Sequence, residues 1–201
     1  MRVIRKGKTK DKILVAALHL FAVNGYDAVG VEDIAAAVEI RPPSLYNHYK
    51  SKAAIVEEIL YRVEATFAKK SIYQDGVDFS KADEEMLFEM AKKHIMMLQG
   101  DPILSSLRKF FMIEQFRNPR IREMQIRYAH IGPSMFGQRL IKTLVAAGRI
   151  KPVEDIEYVA FKLTAAVSVI INRCDTDPDY FDKGMELLRK HICDFWAEYK
   201  A

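Results

Sequence analysis

Cysteine and long apolar runs are scarce in this sequence of 201 residues. Its two cysteines, Cys174 and Cys193, lack the close spacing of a zinc knuckle or a redox pair. We therefore expect buried, reduced thiols and neither a metal site nor a cofactor. No apolar run reaches the ~18 residues of a membrane span. The basic start "MRVIRKGKTKDK" also lacks the apolar core of a signal peptide. These features predict a cytoplasmic protein with no membrane partner.

Motifs of common catalytic sites are absent as well. We find no glycine-rich phosphate loop, no zinc-ligand set and no nucleophile elbow. A di-metal bundle enzyme needs Glu-x-x-His pairs on facing helices, and the nearest candidate, Glu89 with His94, has the wrong spacing. The sequence therefore predicts a protein that is not an enzyme.

Positive charge is concentrated at the amino-terminal end. The whole formal charge of +4 falls within residues 1–52, because the remainder of the chain is balanced. Most of the excess comes from Arg2, Arg5, Lys6, Lys8, Lys10 and Lys12. Such an arm attracts a polyanion, either DNA or an anionic membrane surface, and the alternative is a solvated, frayed arm.

Apolar residues recur at helical spacing almost throughout the chain, and strand-like alternation is absent. The pattern predicts an all-α fold of about nine helices. Ser80 with Asp83 matches a capping box, and Gly132-Pro133 predicts a kink or break. Further helix starts are predicted at Asp101-Pro102, Asn118-Pro119 and Asp177-Pro178. The predicted helices cover 9–24, 31–38, 43–49, 52–72, 81–99, 102–116, 119–147, 153–173 and 178–198.

The run "RPPSLYNHY", residues 41–49, joins a stiff start to short hydrogen-bonding side chains. Its prolines fix the backbone at the start of the third predicted helix. Leu45 and Tyr49 share the side that packs on the first two helices. The opposite side carries Pro43, Ser44, Asn47 and His48, with Tyr46 at its edge. This face suits a recognition helix in a DNA major groove. The alternative is an ordinary polar surface helix, although such faces usually carry Lys and Glu.

The fourth predicted helix has an unusual first turn, in which Ser51 is the expected N-cap and Lys52 follows it. A cation is unfavourable at the positive end of a helix. A docked anion such as a DNA phosphate would explain the lysine.

The segment from about Lys10 to Leu60 closely resembles, without gaps, the amino-terminal helix-turn-helix of TetR/AcrR-type transcriptional regulators. The resemblance rests on the Phe21…Gly25-Tyr26 corner, the Asp33-Ile34-Ala35 helix and the Ser44-Leu45-Tyr46-x-His48-Tyr49 block that closes on Ser51-Lys52. Two positions depart from the family pattern. Glu39 stands at a turn position that is often glycine, and Val31 stands where a threonine would supply a phosphate contact.

This resemblance implies a DNA-binding domain in residues 1–52 and a ligand-binding and dimerisation domain in residues 53–201. It implies a repressor that binds a palindromic double-stranded operator as a homodimer and is released by a small, largely apolar effector. Base edges would be read by Ser44, Asn47 and His48, and a thymine methyl would contact Pro43. The residues expected to touch DNA are Arg41, Pro42, Pro43, Ser44, Tyr46, Asn47, His48 and Lys52, with phosphates bound by Arg41, Tyr46 and Lys52.

The predicted helix 153–173 is apolar nearly all round, so it must be covered on several sides. Its small residues Ala165, Ala166 and Ser168 permit close approach of a second helix. A two-fold bundle of this helix and 178–198 from two chains would bury both faces. The alternative is that both helices are core of one chain, and the family resemblance favours the dimer.

Methionine and aromatic residues are abundant in the predicted helices between 81 and 147. Such stripes are typical of plain core, but Met lining with isolated polar groups also suits a small-molecule cavity. The polar candidates are His94 and Glu114, and the alternative for Glu114 is a structural pair with Arg117, Arg122 or His94. The predicted ligand-binding residues are Met90, His94, Met97, Phe110, Phe111, Glu114 and Tyr128.

Taken together, these patterns predict a homodimeric, ligand-responsive transcriptional regulator. The alternative is a helical-bundle enzyme or an adaptor that does not bind DNA. An adaptor that does not bind DNA would not explain the charge asymmetry or the outward polar helix, and the enzyme lacks its motifs.

Overall fold

The computed structural model describes residues 7–69 and 78–201, with side chains described in 7–66 and 78–201. The predicted all-α fold is confirmed within this part of the chain. The helices are α1 (Thr9–Asn24), α2 (Val31–Ala37), α3 (Pro42–Tyr46), α4 (Lys52–Lys69), α5 (Glu84–Gly100), α6 (Pro102–Glu114), α7 (Pro119–Gln125), α8 (Gly132–Ala146), α9 (Ile156–Thr176) and α10 (Phe181–Tyr199). Arg2, Arg5 and Lys6 of the predicted basic arm lie outside the described residues.

Side-chain caps fix several helix starts. Asn118 Oδ1 accepts the backbone amides of Arg120 at 3.0 Å and Ile121 at 3.2 Å, which confirms the start of α7. The capping-box prediction at Ser80 was wrong. Asp83 is the N-cap of α5, while the Ser80 hydroxyl donates to Asp78.

The longest predicted helix, 119–147, is divided at the expected point. After α7, a π-helical turn spans Ile126–Ile131, and α8 begins at Gly132 with Pro133 next. Proline has no amide to donate and its ring clashes with the preceding turn, so regular helical bonding is interrupted here. The start at Asp177 differs from the prediction, because α10 begins only at Phe181 after a 3₁₀ turn.

Two compact units make up the described residues. The first holds α1–α4 together with α6 and α7, and the second holds α5 and α8–α10. Thus α6 and α7 group with the amino-terminal helices. The division into functional domains at 1–52 and 53–201 stays a prediction.

The first unit is built around α1, whose inward side packs on α2, α4 and α6. The Phe21 ring stacks on Phe110 of α6, with ring centroids 5.5 Å apart. Beside this stack, His19 Nδ1 lies 2.6 Å from the Ser106 hydroxyl, also on α6. The helix α6 is therefore held along α1 by both apolar and polar contacts.

The second unit buries the inward faces of α5, α8, α9 and α10 in one apolar core. An Arg189–Glu85 ion pair joins α10 to α5 at the surface. Both cysteines are free, but the prediction that both are buried was wrong for Cys193. Its thiol is partly exposed and donates to Glu84 Oε1 at 2.7 Å. None of the described helices is both long and apolar enough to cross a bilayer.

Candidate nucleic-acid interface

The turn between α2 and α3 is a Schellman motif. The Ile40 amide donates to the Ala35 carbonyl, and the Glu39 amide donates to the Ala36 carbonyl, both at 3.0 Å. Glu39 takes the left-handed position of this motif with φ of 57°. That conformation explains why glycine is favoured at this position, where the present chain carries a glutamate.

Glu39→Gly is expected to raise the free energy of unfolding by up to about 1 kcal/mol, because relief of left-handed strain exceeds the added chain entropy of glycine. Glu39→Val should lower it, since a β-branched residue tolerates positive φ poorly. Urea denaturation of the three proteins at one concentration measures the order. A Glu39→Gly variant less stable than the starting protein would contradict the expectation.

The helix α3 begins sharply because Arg41 is extended before the two prolines, with φ of −78° and ψ of 145°. Leu45 and Tyr49 turn inward and are buried, as predicted. The helix is shorter than the predicted 43–49, however, and ends at Tyr46. Asn47 and His48 therefore lie in the turn that follows the helix, and the prediction that they are helical was wrong.

The outward side chains around α3 are chemically suited to reading base edges. Hydroxyl, amide and imidazole groups both donate and accept hydrogen bonds. Pro42 is half-buried. The exposed predicted contacts are Arg41, Pro43, Ser44, Tyr46, Asn47 and His48.

Tyr49 anchors the end of this segment to α1. Its hydroxyl donates to the Lys10 carbonyl at 3.4 Å, and the Lys10 ammonium lies 5.1 Å from the ring centroid. Burial raises the pKa of Tyr49, with the Glu58 charge adding to the effect. The phenol therefore remains a neutral hydrogen-bond donor at physiological pH.

The structure gives Lys52 a different explanation from a docked anion. Its ammonium donates to the carbonyls of Tyr26 at 2.7 Å and Val29 at 2.8 Å, and it lies 4.2 Å from the Tyr26 ring centroid. These oxygens and the ring compensate a cation at the start of α4. Ser51 is the N-cap acceptor for Ala54, as expected. A phosphate contact by Lys52 stays a prediction.

The seven predicted ligand-binding residues are divided between the two units. Phe110, Phe111 and Glu114 are buried in the first unit. Met90, His94, Met97 and Tyr128 are partly buried in the second. Their role in ligand binding stays a prediction.

Glu114 has a structural partner that sequence reasoning missed. Its Oε1 accepts the backbone amide of Tyr26 at 2.9 Å, and only 4% of the residue is exposed. The nearest ion pair of the neighbouring Arg117 is instead with Asp27, at 3.7 Å. Of the signals in the sequence, only the buried position of a lone carboxylate pointed to a required partner.

No group of three His, Cys, Asp or Glu side chains among the described residues could hold a metal ion. The site described above consists of a short outward helix, the two turns that flank it, and the side chains that anchor those turns.

Residues 13–59 match the family model described as bacterial regulatory proteins, tetR family. The match covers most of α1, all of α2 and α3, and the first part of α4. The chain is also 47% identical over 49 residues to the negative transcriptional regulator IcaR of the biofilm operon icaADBC in Staphylococcus aureus strain Newman, covering 24% of this chain and 26% of that protein. It is 33% identical over 60 residues to the transcriptional regulator TcmR of Streptomyces glaucescens, covering 30% of this chain and 26% of that protein. The chain thus matches about a quarter of the length of these curated relatives.

Solved structures of transcriptional regulators share the fold over nearly the whole chain. A transcriptional regulator from Saccharomonospora viridis in complex with choline has a TM-score of 0.67 at 20% identity, covering 96% of this chain and 97% of that one. SmeT, the repressor of the Stenotrophomonas maltophilia multidrug efflux pump SmeDEF, has a TM-score of 0.63 at 20% identity, covering 96% and 91%. At this identity the likeness concerns the fold alone.

Proposed function

We propose that this protein is a TetR-family transcriptional repressor that binds a palindromic duplex operator as a homodimer. The observation that carries the proposal is the exposed polar face of α3, set behind two prolines within a segment that matches the TetR family model. Two relatives support repression, since IcaR is a negative regulator and SmeT a repressor.

In the proposed complex, each α3 lies in the major groove. Ser44, Asn47 and His48 hydrogen-bond to base edges, and Pro43 contacts a thymine methyl. Arg41 and Tyr46 bind phosphates on either side, aided by the exposed Lys10 of α1 and by the exposed Lys8 just before it. The phosphate contacts supply salt-sensitive affinity, whereas the base contacts set the sequence preference.

The homodimer is proposed to form through α9 and α10. The outer face of α9 leaves Tyr158, Phe161 and Val169 exposed by 57%, 65% and 62%. The inner face of the same helix is buried, so the helix is apolar on two sides. A second copy applied by a two-fold axis would cover the outer face and pair two α3 helices.

We also propose that a small molecule bound by the part of the chain after residue 52 releases the operator. Two proteins of similar fold support this proposal, one in complex with choline and SmeT in complex with triclosan. Bound dimers need their recognition helices about 34–36 Å apart, one turn of DNA. An effector therefore needs only to prefer a form of the dimer with a different spacing.

Selection of bound sequences from a random duplex library tests the proposed function. The same selection with Asn47→Ala tests the base contact assigned to Asn47. Loss of the amide should relax the preference at one position of each half-site by about 1–3 kcal/mol and leave dimerisation intact. The control is Asn24→Ala, an exposed asparagine at the end of α1, outside both the reading face and the proposed dimer surface. An unchanged selected sequence for Asn47→Ala would exclude its base contact.

A further inference from the structure

Two side chains of opposite charge bind the backbone of Tyr26. Its amide donates to Glu114 Oε1 at 2.9 Å, and its carbonyl accepts from the Lys52 ammonium at 2.7 Å. The ring packs against Phe21, with centroids 5.5 Å apart, and lies beneath the same ammonium. Both charged side chains are thus used on a single residue of the loop that leads into α2.

Lys52 connects the two ends of the segment that carries α2 and α3. Tyr26 and Val29 precede α2, which starts at Val31, whereas Lys52 is the first residue of α4, which follows α3 in the chain. Because the ammonium bonds both carbonyls, it joins the two ends of this segment. The place where α2 begins is therefore tied to the place where α4 begins.

Glu114 connects the loop before α2 to α6. It is the last residue of α6, and α6 is itself held along α1 by the Phe21–Phe110 stack and the His19–Ser106 contact. A shift of α6 would draw the carboxylate away from the Tyr26 amide. A buried carboxylate that loses its donor is costly, so the turn and α6 are expected to move together.

We infer that Lys52 and Glu114 are positioning residues for the DNA reader, which clamp Tyr26 and make the setting of α2 and α3 depend on α6. The inference rests on the proposed function, because it assigns both side chains to the geometry of DNA binding. This positioning role differs from a phosphate contact by Lys52. An ammonium bound to the loop carbonyls fixes the geometry of the loop and does not neutralise DNA charge.

Lys52→Met tests the first half of the clamp, since it keeps the apolar stem and removes the ammonium. Fluorescence anisotropy measures its affinity for the duplex selected by the starting protein, between about 50 and 200 mM salt. We expect roughly tenfold weaker binding with the same dependence on salt. Arg41→Gln is the matched control, and its salt slope should fall by about one. A slope that falls by about one for Lys52→Met would overturn the inference and assign the lysine to a phosphate.

Glu114→Leu and Glu114→Gln test the second half. Leucine fills the space without an acceptor, whereas glutamine keeps an oxygen that can accept the Tyr26 amide. We expect roughly tenfold weaker binding for leucine and near-complete rescue by glutamine. Faster hydrogen exchange of the Tyr26 amide in Glu114→Leu, measured by NMR, should accompany the loss.

Thermal unfolding separates positioning from simple stabilisation. A residue that only stabilises the fold would lower the melting temperature and leave the affinity of the folded protein unchanged, which would overturn the inference. Unchanged exchange at Tyr26 would overturn it too. If Glu114→Leu does not fold, Glu114→Asp, which is too short to reach Tyr26, should show the same loss of affinity. A starting protein that binds no duplex would refute the proposed function itself, a result distinct from any of these.

Discussion

Phe161→Arg combined with Val169→Arg is expected to convert the protein into a monomer that no longer binds a full operator. Both side chains lie on the outer face of α9 and are more than half exposed. Pairing across a two-fold axis would bury the added guanidinium groups beside their own copies, without a counter-ion. Loss of the dimer removes the intramolecular binding of the second half-site, which contributes about 10²–10⁴-fold to affinity.

Sedimentation of the double variant measures its mass, and anisotropy measures its affinity for the operator. Met135→Arg is the matched control, because Met135 is an apolar side chain of α8 with 67% exposure that lies outside the proposed contact. The control should remain dimeric and bind normally. A double variant that stays dimeric would place the pairing surface elsewhere.

Gly25→Ala is expected to destabilise the protein by about 1–3 kcal/mol. Gly25 caps α1 with φ of 79° and ψ of 163°, a conformation that is nearly restricted to glycine. Steric overlap does not cause this loss, since an added Cβ would lie 3.6 Å from Glu114 Oε1 and 3.8 Å from Ile113 Cγ2, at ordinary contact distance. The cost is therefore backbone strain, and relief of that strain would displace the adjoining Tyr26.

Urea denaturation at a fixed protein concentration measures this loss, and operator affinity should fall with it. Gly100→Ala is the matched control. Gly100 ends α5 in helical conformation with open space around it, so alanine there should be neutral or stabilising by about 0.5–1 kcal/mol. Equal stability of the two variants would show that the corner at Gly25 tolerates a side chain.

Features governed by one or two turns of chain could be predicted from the sequence. Pro42 and Pro43 act on their own backbone, so the sharp start of α3 was predicted, as was the interruption before Pro133. The buried side chains of Leu45 and Tyr49 followed from helical spacing. The end of α3 could not be predicted, because no glycine or proline marks it.

Partners of charged groups could not be predicted, because packing brings together residues that are distant in sequence. The sequence suggests Arg117, Arg122 or His94 as a partner of Glu114, but its carboxylate accepts a backbone amide 88 residues away. The sequence suggests a docked anion beside Lys52, whereas its ammonium donates to the carbonyl of Tyr26, 26 residues earlier. Both side chains stand out in the sequence, because a lone charge is unfavourable at either position. Their partners required the fold.

Sedimentation of the purified protein with its selected duplex counts the protein chains on the DNA and so tests whether a homodimer binds the operator. We expect two chains per palindromic duplex and a complex that dissociates as salt rises. A protein that sediments as a monomer and forms no salt-sensitive complex with any palindromic duplex would contradict this expectation.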